Sequence, residues 1–165
     1  MTRGESSVSN SSEKCELTND KLVATLNDIL DVLEERIDNY LVQIKPHPYQ
    51  DVDVIKKTIN NRKNVNIVYD MPAILSRNSD VVIATYTSSV LDAMVLGKPC
   101  IECYDENEFF LRNFPAGSMF EKIGGLRVRN KIEFTSALDF ALSNKNFSYD
   151  FGTISSGFDF GSIFY

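Results

Sequence analysis

One histidine and three cysteines are the whole supply of imidazoles and thiols in this chain of 165 residues. Cys15, Cys100 and Cys103 are an odd number and too few for a disulfide framework, which points to a reducing, cytoplasmic setting. Cys100-Ile101-Glu102-Cys103 has C-x-x-C spacing. The motif falls in an expected strand, however, whereas a redox pair wants its first cysteine at a helix start. Residues three apart on a strand point to opposite faces. Zinc would need further ligands, and neither a second pair nor a nearby histidine is present. The two are therefore read as separate packing cysteines, and no metal site is expected. Basic charge is also short, with 17 Lys and Arg against 23 Asp and Glu. A general nucleic-acid surface would be basic, so that class is set aside. The run Lys56, Lys57, Arg62, Lys63 reads as a solvated helix face. No stretch approaches the roughly 20 apolar residues of a membrane span, and the first residues lack the apolar centre of a signal peptide.

What is present is a core. Apolar residues make up 43% of the chain, enough for one domain. Residues 1 to 17 are polar, serine-rich and without period, and read as a disordered leader or linker. Leu22, Leu26, Ile29, Leu30, Leu33 and Ile37 then form one helical stripe, capped by Thr18 or Asn19. Strands follow at 40–44, 65–69, 81–84 and 100–104, separated by a helix marked by Val52, Ile55 and Ile59 and ending in Asn60-Asn61-Arg62, and by helices at about 72–78 and 88–96. Pro72 suits a first helical position and Gly97 a helix stop. A last strand at Leu126-Arg127-Val128 and a helix near 133–142 restore the pattern after an acidic, then aromatic, loop at 105–122.

This alternation predicts an α/β fold with a mostly parallel sheet of about five strands, Val81 to Ala84 inside it. The domain runs from 18 to 145. Residues 146–165 form an aromatic and glycine-rich tail with seven aromatics in twenty residues, expected to dock on the domain's own sheet or on a partner. A sheet of this kind normally opens with an apolar strand before its first helix. Residues 1 to 17 offer none, so the chain reads as part of a larger architecture.

Two strand ends carry the candidate site. In an open α/β sheet, ligands bind at the carboxyl ends of the strands. After 40–44 comes Lys45-Pro46-His47-Pro48, where two prolines stiffen the backbone around the single histidine. An imidazole held there can bind phosphate. After 81–84 comes Thr85-Tyr86-Thr87-Ser88-Ser89. One hydroxyl is enough to cap a helix; the surplus here suits a phosphate at the helix start. Asp92, one turn further on, is either a ligand for sugar hydroxyls or a solvated helix residue. Gly124-Gly125 lacks the spacing of a phosphate loop and reads as a turn.

Ile44-Lys45-Pro46-His47-Pro48 resembles the HP signature of bacterial sialyltransferases, polysialyltransferases and capsule-polysaccharide transferases. Thr87-Ser88-Ser89-Val90-Leu91-Asp92-Ala93, followed by Leu96-Gly97-Lys98-Pro99-Cys100-Ile101, resembles their paired-serine segment. Residues 86–105 are also similar to the CDP-glycerol glycerophosphotransferases of teichoic-acid synthesis. The resemblance covers roughly residues 18 to 143. It implies the donor-binding half of a GT-B enzyme, a Rossmann-like three-layer sandwich. His47, Thr87, Ser88 and Ser89 would bind the phosphates of a CMP-, CDP- or UDP-linked sugar or glycerol, with Asp92 near the ribose or donor sugar. No further cofactor is implied. The acceptor site and general base would come from an N-terminal half or partner domain, so the chain alone would be inactive. The location implied is cytoplasmic, at the inner membrane face if membrane-associated. Two other readings stand beside it: a UDP-sugar 2-epimerase-like domain, and a non-catalytic Rossmann-like module that binds a partner through its aromatic tail. Asp150-Phe151-Gly152 copies the magnesium-binding tripeptide of protein kinases without its companion motifs, and is read as chance.

Overall fold

The computed structural model describes residues 19–48, 50–85, 87–103, 118–144 and 147–152. Helix α1 spans Asn19–Arg36. Strand β1 (Val42–Ile44), helix α2 (Val52–Ile59) and strand β2 (Val65–Ile67) follow as one unit. Helix α3 is Pro72–Arg77, β3 is Val82–Ala84, α4 is Val90–Val95 and β4 is Cys100–Cys103. Helix α5 (Met119–Lys122), β5 (Leu126–Val128) and α6 (Lys131–Ser143) complete the order.

Every strand pairing is parallel, as the alternation of elements predicts. The expected single five-stranded sheet is not formed. β1 pairs with β2, and a separate sheet runs β3-β4-β5. Val82–Ala84 is thus an edge strand of its sheet, and β4 takes the interior place expected for it. Apolar runs determine that a strand forms, but not which backbone edges meet. The short β1 and β3 each use one edge for a ladder, and no ladder joins them.

β4 explains how the core is divided. All four of its residues are buried, with Ile101 0% exposed. Alternation along the strand sends Ile101 and Cys103 into one cluster with Ile29, Val32 and Leu33 of α1 and Phe134 and Leu138 of α6. Cys100 enters a second cluster with Val90, Ala93 and Met94 of α4 and with Ile123. The two thiols therefore lie on different faces, free and buried, as the strand reading requires. Burial raises both, to about 11 for Cys100 and about 12 for Cys103, which makes them unreactive packing groups.

Local sequence sets the element ends. Asp51 caps α2 by accepting from the N–H groups of Asp53 and Val54. Asn130 caps α6 through Glu133 N–H, and Glu133 reaches back to Arg129 N–H. Gly97, at φ +67°, ends α4 while its N–H donates to the Met94 carbonyl. Gly125 lies where a Cβ would stand 2.7 Å from Met94 Cε and 2.8 Å from the Phe120 carbonyl oxygen, so its hydrogen permits α5 to press on α4.

Three expectations change in detail. The stretch read as loop to residue 122 contains α5, and its remainder from 104 to 117 lies outside the described residues. Arg62 does not belong to a solvated face. Its guanidinium donates to Asp31 at 2.5 Å and Glu34 at 2.6 Å, tying the end of α2 to α1, while Lys56, Lys57 and Lys63 are exposed. The helix read from Ser88 starts at Val90. The leader at 1–17 lies outside the described residues.

Of the tail, the described residues 147–152 dock on the chain's own domain. Tyr149 hydroxyl accepts from Cys100 N–H at 3.1 Å and donates to the Lys98 carbonyl at 2.6 Å. Asp150 N–H donates to the Ile123 carbonyl, and Phe147 stacks on Tyr149 and meets Phe140 edge-on. Tyr149→Phe leaves the Cys100 N–H on the buried strand without its acceptor. A loss of about 1–3 kcal/mol in urea unfolding is expected; an unchanged midpoint and slope would show that the hydroxyl is dispensable.

Candidate functional site

The hydroxyl turn is built from its first residue. β3 ends at Ala84, whose side chain is buried, and the chain leaves the sheet through Thr85. Thr87 Oγ1 accepts from Ser89 N–H at 3.2 Å and donates to Ser89 Oγ at 3.1 Å. Ser89 takes the cap position of α4 in a helical conformation and makes no side-chain cap bond itself. Thr87 therefore fastens this turn. Ser88 is exposed, Thr87 and Ser89 are half-buried, and Asp92 is exposed on α4. Buried Val90, Ala93 and Met94 anchor the helix beneath them.

His47 stands in the loop that follows β1. Pro46 is buried while Lys45, His47 and Pro48 are exposed. His47 N–H donates to Gln50 Oε1 at 2.8 Å, and Gln50 N–H returns to the His47 carbonyl at 2.9 Å. This reciprocal pair ties His47 to Gln50. Thr87 and Ser89 are thus brought together, Ser88 lies between them, and Asp92 lies one turn on. His47 belongs to the other sheet's strand end, and no ladder spans the two.

Two hollows are shaped elsewhere. One, of about 380 Å³, lies at the amino edge of β3 and β4, among Asp80, Gly97, Lys98, Pro99, Leu142 and Asn144. The other, of about 200 Å³, lies beside the carboxyl ends of β4 and β5, between α1 and the start of α6. Among the described residues no cluster of three or more His, Cys, Asp or Glu is placed to hold a metal. No described helix is long and apolar enough to cross a membrane.

Sequence reasoning missed a buried polar group on β4. Glu102 is 4% exposed, in the third position of the interior strand. Ser118, 3% exposed, donates its hydroxyl to Glu102 Oε2. Burial pushes the Glu102 carboxyl up to about 7, against the smaller opposing effects of the Ser118 hydroxyl and the Arg127 charge. The available signal was the one acidic residue inside an otherwise apolar strand. No protein-family model matches the chain, and none of the curated proteins or solved structures compared with it matches either.

Proposed function

We propose that this chain is the donor-nucleotide-binding domain of a glycosyltransferase or glycerophosphotransferase of surface-polysaccharide synthesis. The observation that carries the reading is the hydroxyl turn directly after a parallel strand, with Ser88 exposed between the half-buried hydroxyls of Thr87 and Ser89. Such a strand end is where open α/β folds bind ligands. Backbone N–H groups and hydroxyls placed there can satisfy phosphate oxygens. His47, on the stiff loop after β1, would contribute an imidazole N–H to the same phosphates. Asp92 would accept hydrogen bonds from ribose or donor-sugar hydroxyls.

The proposed donor is a CMP-, CDP- or UDP-linked sugar or glycerol, bound without a metal. A second domain would bring the acceptor and the general base, in the manner of a GT-B enzyme, and the pair would work at the cytoplasmic membrane face. The rival reading as a partner-binding module would rest on the aromatics of the tail other than Tyr149, whose hydroxyl is engaged with Cys100 and Lys98.

An NMR titration of the chain with CMP, UMP, CDP, AMP and inorganic phosphate tests the proposal. Saturable shifts at the amides of Thr87 to Val90 and at the His47 ring are expected, with pyrimidine nucleotides ahead of AMP and affinities of roughly millimolar order, about 4 kcal/mol. Shifts confined to other regions, or none, would refute it.

A further inference from the structure

Ser118 links Glu102 of β4 to the first turn of α5, and Glu121 of α5 pairs with Arg127 of β5. Ser118 Oγ donates to Glu102 and accepts from Glu121 N–H at 3.1 Å, so one hydroxyl serves both β4 and the first turn of α5. Lys122 N–H donates to the Ser118 carbonyl at 3.3 Å. Glu121 Oε2 accepts from an Arg127 Nη at 3.0 Å. Arg127 is also the register partner of Glu102 across the β4–β5 ladder. We propose that Glu102 and Ser118 form a proton-operated latch that fastens the start of α5 to the interior strand, closed when Glu102 is protonated and loosened when it ionises.

The physical basis is the burial of the carboxyl. A buried carboxylate loses hydration that one hydroxyl and one neighbouring cation restore only in part. Among the described residues the facing charges are few. Arg127 of β5 favours the carboxylate, and Glu121 of α5 opposes it. Cys103 is the adjacent titratable group on the same strand. β3 places uncharged Ala84 opposite Glu102 in register. α4 and α6 present apolar side chains such as Met94 and Leu138 to the clusters beside β4. Among the described residues no charge from either helix acts on Glu102. Ionisation therefore favours admission of water, and the element it would displace is the four-residue α5, which Ser118 joins to β4. Ser118 takes up or releases no proton of its own. Glu102 gains its proton from water and returns it there.

The consequence reaches α4. Phe120 of α5 packs with Val90, Met94 and Ile123 in the second cluster, so a loosened α5 withdraws support from the helix that follows the hydroxyl turn. The latch does not depend on the nucleotide proposal, since its geometry involves none of the candidate phosphate residues.

Amide hydrogen exchange on the whole chain from pH 5.5 to 8.5 reads the latch directly. After correction for intrinsic rates, protection at Glu121 and Lys122 is expected to fall at least about tenfold across that range. The exchange should stay insensitive to sub-denaturing urea, as local openings do. In Glu102→Gln the fall should vanish. In Ser118→Ala, which removes the hydroxyl that serves both Glu102 and Glu121 N–H, protection at Glu121 should be low at every pH. Constant protection in the unaltered chain, the same fall in Glu102→Gln, undiminished protection of Glu121 at low pH in Ser118→Ala, or exchange that follows global unfolding in urea would each overturn the proposal.

Discussion

Raising the pH from about 4.5 to about 8 is expected to cost the folded chain about 3 kcal/mol through Glu102 alone, and Glu102→Gln is expected to abolish that loss. In the folded state burial lifts this carboxyl to about 7 from an ordinary 4.5. Between those values the folded chain holds a proton that the unfolded chain has released. The stabilisation is complete below 4.5 and disappears as pH rises through about 7. Asp31 has the opposite sign. Its hydrogen bond from Arg62 holds it below the usual carboxylate range, so its contribution is lost only as the solution becomes more acid. The raised thiols of Cys100 and Cys103 act in the same direction as Glu102 but at alkaline pH. Urea unfolding at about one-unit pH intervals, with and without Glu102→Gln, checks the sign. The substituted chain should be the more stable one at about pH 8. A flat profile in the unaltered chain would mean that Arg127 and Ser118 neutralise the carboxylate fully.

His47→Ala is expected to weaken pyrimidine-nucleotide binding by roughly tenfold or more, about 1.4 kcal/mol, and Ser88→Ala with Ser89→Ala to do at least as much. In an enzyme complete with its acceptor domain, the corresponding fall in turnover is roughly 10- to 1000-fold. The fold should survive, for a reason visible in the turn. Ser88 is exposed and Ser89 makes no cap bond, whereas Thr87 holds the Ser89 N–H. Thr87→Ala is the structural control and should cost about 1 kcal/mol in thermal unfolding. If the three phosphate groups act on one ligand, the combined variant loses less than the sum of its parts. Unaltered affinity in both sets would remove these loops from the proposed site.

Apart from α5, which lies in a stretch read as loop, the elements themselves were legible. Strands 65–67, 82–84, 100–103 and 126–128 fall inside the apolar runs, and α1 follows the stripe from Leu22 to Leu33. Periodicity reports which face is buried, which is why the opposed cysteines could be read in advance. Pairing was not legible, because the choice between joining β1 to β3 and leaving two sheets depends on backbone edges that carry no sequence mark. The role of Thr87 as the turn's fastener was hidden for a related reason. Among three adjacent hydroxyl residues, local backbone geometry decides which one accepts. Arg62 was misread because its partners Asp31 and Glu34 lie about thirty positions earlier in the chain, beyond the reach of any local charge pattern.

The docking of Tyr149 has a consequence for the order of events during synthesis. Its two hydrogen bonds span 49 and 51 residues of chain, so they are among the contacts formed latest as the polypeptide emerges. Until residue 149 leaves the ribosome, the Cys100 N–H at the start of the interior strand lacks this acceptor, and the nascent domain presents an open strand end to its surroundings. A pause in translation between β5 and Tyr149 would lengthen that exposure, whereas a pause after Tyr149 would not.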